Sequence, residues 1–141
     1  MSNKSNGTAF EKEFAELLAR HGFWAHCLKE NTNGQPFDVI AARDGNTYVF
    51  DCKECKSGRF ALSRIEENQN NAMLLWQNTG NPTGMFALKF FGRIYLIPHR
   101  MLMNLKRNGT KSIAEQHAAQ YGKTLEQWIF DGRKLIKEVV L

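Results

Sequence analysis

An α/β fold, a mixed sheet with helices on its faces, is what this sequence predicts, and three observations carry that expectation. Residues 37 to 43 and 46 to 53 are rich in Val, Ile, Phe and Tyr and flank Asp44-Gly45, the preferred chemistry of a two-residue hairpin turn. Upstream, Phe10, Phe14, Leu17, Leu18 and His21 recur at helical spacing. Downstream, strand-like and helix-like stretches continue, so the order reads helix, strands, helix, strands, helices.

The first helix is expected from Thr8 to His21, with Thr8 and Glu11 as a capping box and Gly22 as its stop. Residues 1 to 6 are expected to be unstructured. A strand follows at Phe23 to Leu28, then the polar loop Lys29 to Pro36. If Asp44-Gly45 is the turn, the hairpin register is arithmetic: Arg43 faces Asn46, Ala42 faces Thr47, Ile40 faces Val49, and Asp38 faces Asp51. A second helix is expected from Ser63, with Glu66 as capping-box partner, to about Gln77; Ile65, Ala72, Met73 and Trp76 form its apolar stripe, and Gln69 falls on it. Strands at Met85 to Phe90 and Arg93 to Ile97 precede helices at Arg100 to Lys106, Ser112 to Tyr121 and Leu125 to Phe130. The chain therefore reads as one domain over residues 1 to 141, with a core over 8 to 100 and a helical extension over 101 to 141.

Composition narrows the class. The chain is 43% hydrophobic and 23% charged, as folded soluble proteins are. It has no apolar run near the roughly 20 residues a membrane span requires. The N-terminus MSNKSNGTAF lacks the apolar core of a signal peptide, and three cysteines, an odd number, suit reduced thiols. A cytoplasmic protein is the expectation. A net charge of +5 favours a polyanionic partner.

The stretch FDCKECK, Phe50 to Lys56, concentrates the chemistry. Cys52 and Cys55 form a CxxC, but no second pair completes the four ligands of a structural zinc site. Asp51 and Lys53, two residues apart, share one strand face. They are either the solvated face of an edge strand, with Lys blunting the edge, or part of a site. Val49 on the same face and an Asp in a strand argue for the site. Opposed Asp38 and Asp51 would have Cβ atoms ~5 Å apart, a repulsive pair unless a cation lies between them. Hard carboxylate oxygens suit Mg²⁺, which keeps waters and takes phosphate oxygens, and Lys53 would point at the same place. Glu11 borders the apolar face of the first helix and is open between capping Thr8 and reaching into the site. Gln69 is open between bonding a loop and bonding the site's water or lysine.

These residues resemble the PD-(D/E)xK nucleases, and within them the Holliday junction resolvases. The signature is Pro36-Phe37-Asp38, then twelve residues, then Asp51-Cys52-Lys53. GTAFEKEFAELLARHGF followed by PFDVIAARDGNTYVFDCK resembles the archaeal Hjc resolvases. DCKECKSGRFALSRIEENQ followed by IYLIP resembles the RecU resolvases. The likeness covers about residues 7 to 100. It implies a restriction-endonuclease-like core and a DNA endonuclease using Mg²⁺, with Mn²⁺ as substitute. It further implies that Asp38, Asp51 and the backbone carbonyl of Cys52 hold the metal with Glu11 as a third acid, that Lys53 positions or activates water, and that Gln69 assists or contacts DNA. Its partners would be four-way or other branched DNA and a second copy of the chain. Two departures stand out: the family's second acid is most often Glu, here Asp51, and RecU proteins carry a long stalk where this chain has Lys29 to Gln35. A restriction- or repair-type endonuclease and a non-catalytic DNA-binding module on the same fold are the alternatives.

Overall fold

A computed structural model describes residues 3–28 and 36–131, with side chains from Ala9 onward. The first helix, α1 (Asn3–Arg20), packs on a six-stranded sheet that begins with β1 (Trp24–Cys27), β2 (Val39–Arg43) and β3 (Asn46–Glu54). There follow β4 (Arg59–Ala61), a 3₁₀ turn (Leu62–Arg64), α2 (Glu67–Asn78), β5 (Met85–Phe90) and β6 (Arg93–Pro98). The chain then forms α3 (His99–Arg107), β7 (Ser112–Ala114), α4 (Glu115–Tyr121), β8 (Lys123–Thr124) and a last helix, α5, over residues 125–131. Strands run in the order β1-β2-β3-β5-β6-β8, and β4 pairs with β7 in a separate ribbon. Neighbouring strands are antiparallel except β3 and β5, which are parallel and linked by the crossover through α2.

The hairpin is as the turn arithmetic requires. Asp44 and Gly45 both have positive φ, 56° and 82°, and Arg43↔Asn46, Ala42↔Thr47, Ile40↔Val49 and Val39↔Phe50 are paired. Because side chains alternate across a strand, β3 feeds two cores. Phe50 and Cys52 pack with Phe10, Phe14 and Leu18 of α1 on one face, whereas Val49 packs with Met73 of α2 and Phe86 and Leu88 of β5 on the other. Phe14 and Phe50 meet edge to face at 5.0 Å. β3 is an interior strand, so the edge-strand account of Asp51 and Lys53 is overturned.

Four local expectations are corrected. The helix α1 starts at Asn3, inside the segment expected to be unstructured, so Thr8 lies within it and does not cap it. Its other end is a Schellman-type stop: Phe23 N–H reaches the Leu18 carbonyl at 3.1 Å and Gly22 N–H that of Ala19 at 3.2 Å. α2 starts at Glu67, because Ser63 is taken up in the 3₁₀ turn, and its box is Glu66 with Gln69. Ser112–Ala114 is a strand paired with β4, not the first turn of a helix. The segment after residue 100 is also not a purely helical extension, since Lys123–Thr124 adds a strand to the main sheet beside β6. The loop Lys29 to Gln35 lies outside the described residues, as do residues 132–141. No helix among the described residues is long and apolar enough to cross a membrane.

Candidate active site

Asp38 enters the site where β2 begins. Its neighbour Phe37 is buried and meets Trp76 of α2 edge to face at 5.8 Å, which fixes the approach of the chain. The β2–β3 ladder ends at Val39↔Phe50, one pair short of Asp38 and Asp51. Asp38 N–H turns to the Phe50 carbonyl (3.0 Å), and its Oδ2 accepts the Cys52 backbone N–H (2.8 Å). The carboxylate thus replaces the ladder partner that Cys52 loses as the strands part, so a functional side chain is locked by the backbone it serves.

Asp51 is 1% exposed. Its carboxyl is pushed up to about 7, chiefly by burial, next by the charge of Asp38, with Lys53 opposing and Glu66 adding. Lys53 Nζ lies 3.3 Å from Asp51 Oδ1 as an ion pair. A buried carboxylate beside a second carboxylate, with one lysine ammonium at hand, is an arrangement that a hard cation would complete.

Glu11, half-buried on α1, approaches from the opposite face. Its backbone carbonyl accepts from the Cys27 thiol (3.5 Å); burial raises the pKa of both Cys27 and Cys52, and the charges of Asp38 and Glu11 add to it. Asp38 is therefore the residue common to both sides of the sheet end. Among the described residues no three His, Cys, Asp or Glu side chains converge as a ready metal cage.

The CxxC thiols do not converge. Cys52 belongs to the α1-side core and Cys55 to the α2-side core, and burial raises both, Cys55 to about 11, against the thiolates zinc takes. Gln69 stands in the first turn of α2, where its Oε1 accepts the Glu66 backbone N–H at 3.1 Å. Its carbonyl end serves the cap, and its NH₂ end has the donors to offer. Glu66, whose charge is felt at Asp51, is read from the sequence only as the capping-box partner of Ser63, a role that hides it as a neighbour of the site.

Comparison with known proteins bears on the family and the fold. The sequence profile of the Recombination protein U (RecU) family matches residues 30–131, extending thirty residues past the limit of the likeness read from the sequence. The crossover junction endodeoxyribonuclease Hjc of Methanocaldococcus jannaschii is 24% identical over 102 residues, 72% of each chain. The structure of Archaeoglobus fulgidus Hjc, described as a Holliday junction resolvase from an archaeal hyperthermophile, superposes with a TM-score of 0.66 at 19% identity. That superposition covers 87% of this chain and 99% of that one, and it supports the fold. With a family match spanning most of its length and a sheet end that sets two carboxylates and a lysine together, this chain belongs to the Recombination protein U family.

Proposed function

We propose that the chain is a Holliday junction resolvase, a divalent-metal-dependent endonuclease that hydrolyses DNA phosphodiesters at branch points. The observation that carries the chemistry is Asp51: buried at 1% exposure, beside the charge of Asp38, and paired with Lys53 at 3.3 Å. Asp38 and Asp51 would hold Mg²⁺, or Mn²⁺ in its place, and Glu11 would add a third acid from α1. The carbonyl of Cys52 would join them, because the N–H and C=O of one strand residue project to the same side and its N–H already meets Asp38. Bound there, the ion supplies charge neutralisation and Lewis acidity toward a phosphate.

The side chains do the rest. Lys53, held 3.3 Å from Asp51, orients the attacking water and meets charge developing on the phosphate. Gln69 offers its NH₂ from the first turn of α2 to that water or to DNA. Exposed Lys56, Arg59 and Arg64 lie close in sequence and supply phosphate contacts. A four-way junction has twofold character, so a homodimer gives one cut per arm pair. Leu74 and Leu75, 43% and 67% exposed on the outer side of α2, are apolar surface for such a contact.

One observation favours a second reading, a nuclease that does not select junctions. Where RecU proteins carry a stalk, this chain has only the seven residues Lys29 to Gln35. A module with idle chemistry is disfavoured, since Asp38 serves the Cys52 backbone but a buried Asp51 beside it only costs stability without chemistry to perform. The test of the site uses Asp51→Asn and Lys53→Ala. Each should lower cleavage at least about a thousandfold, roughly 4 kcal/mol of barrier, while DNA binding stays within a few-fold. Full activity in either would falsify the assignment.

A further inference from the structure

The tip of the β5–β6 hairpin holds a residue that the hydrolytic chemistry does not use. Phe91 and Gly92 form a two-residue turn with φ of 51° and 84°, the geometry of Asp44-Gly45 at 56° and 82°. That geometry favours Asn, Asp or Gly at its first position, and a bulky aromatic there is an outlier. The chain uses the preferred residue in one turn and phenylalanine in the other. Phe91 is also 64% exposed, so its strain is not repaid by a buried ring.

The ring is nonetheless held. A Cβ built on Gly58 would lie 3.1 Å from the Phe91 ring, so the ring leans on the β3–β4 turn by one edge and leaves its remaining surface to solvent. Cys55 N–H bonds the Lys89 carbonyl (2.8 Å) and joins the two turns. Lys53 pairs with Leu88 across the parallel strands, and Phe91 is three residues further on, about 10 Å along the strand direction from the lysine. The tip therefore stands at the end of the sheet where Asp38 and Lys53 stand.

Three cations lie close to it along the chain: Lys56 and Arg59 on either side of Gly58 in the turn it leans on, and Arg93 after Gly92, with side chains of Lys56 and Arg93 64% and 60% exposed. Two of these cations share their charge with an acid, Lys56 with Glu54 and Arg93 with Glu115. Arg59 Nε rests on Ser112 Oγ. A rigid, exposed aromatic face among cations matches the stacking platforms that take unpaired or unstacked bases.

We propose that Phe91 stacks on a base exposed at the branch point of the DNA and so supplies junction selectivity in a chain with a short loop in the stalk position. This rests on the resolvase reading above. The experiment measures equilibrium binding, with Ca²⁺ in place of Mg²⁺, to a four-way junction and a linear duplex of the same arms. Phe91→Asn installs the residue the turn prefers, so it folds; Phe91→Trp keeps an aromatic face. The junction-to-duplex affinity ratio should fall about 5- to 100-fold in Phe91→Asn and be retained in Phe91→Trp. A wild type that prefers junctions and a Phe91→Asn variant with the same ratio would overturn the inference alone. The same holds if the variant changes only thermal stability or oligomeric state. A wild type with no preference overturns the resolvase reading and this inference together.

Discussion

Asp51 is destabilising to ionise where it sits. Its ordinary carboxyl value is 3.8 and its value in the fold is about 7. Between those two values the native state binds the proton that the unfolded chain has released, so metal-free stability falls as pH rises through that window. The loss is at most about 4 kcal/mol and is complete above pH ~7. Divalent metal should offset it, most strongly at high pH, because the bound carboxylate must be ionised. Urea melts from pH 4 to 8, with EDTA and with Mg²⁺, check this. The metal-free slope should flatten in Asp51→Asn, and an unchanged slope there would assign it to another group. At this scale the sequence was informative: Asp38, Asp51 and Lys53 follow from a period of two and one turn. The missing part was the parting of the strands at Asp38, which no local pattern encodes.

Among the elements, helix starts were the weak point. Thr8 to Glu11 and Ser63 to Glu66 both fit the capping-box spacing, yet neither Thr8 nor Ser63 stands at a helix start, because a four-residue pattern does not exclude a helix that begins upstream or a 3₁₀ turn that uses it first. One link between elements had no signature at all. His99, 1% exposed at the start of α3, has its Nε2 2.7 Å from Asn70 Oδ1 of α2 and stacks on Phe86, the neighbour of Asp51 in the sheet. It ties α2, with Glu66 and Gln69, to the strand layer. Asn70→Ala should cost ~1–3 kcal/mol by leaving a buried ring nitrogen without its partner. Burial also lowers the His99 pKa from 6.5, so the native state resists its protonation, and this contribution to stability is lost as pH falls below about 6.5. Thermal melts of the variant and wild type at pH 5 and 7.5 test both statements. An Asn70→Ala protein as stable as wild type at pH 7.5 would remove the tie from the account.

For the molecule as a whole, the layered α/β architecture was legible because long elements carry strong periodicity, as α1 and the β2–β3 hairpin do. The C-terminal part was not. Ser112–Ala114 and Lys123–Thr124 have three and two residues, too few to show alternation, and their partners β4 and β6 are distant in sequence. The parallel pairing of β3 with β5 is equally non-local, yet it makes β3 an interior strand and buries Asp51. The net charge of +5 and the exposed Lys56, Arg59 and Arg64 suit a polyanion whose backbone passes the end of the sheet. The central claim is that this end cuts branched DNA. The direct measurement is cleavage by the wild-type protein in Mg²⁺ of a four-way junction and a linear duplex of matched sequence, each end-labelled and mixed at equal concentration. The account predicts paired nicks near the branch point, at least about tenfold faster than any cut in the duplex. Equal cutting of the two would contradict it, leaving a nuclease without junction preference.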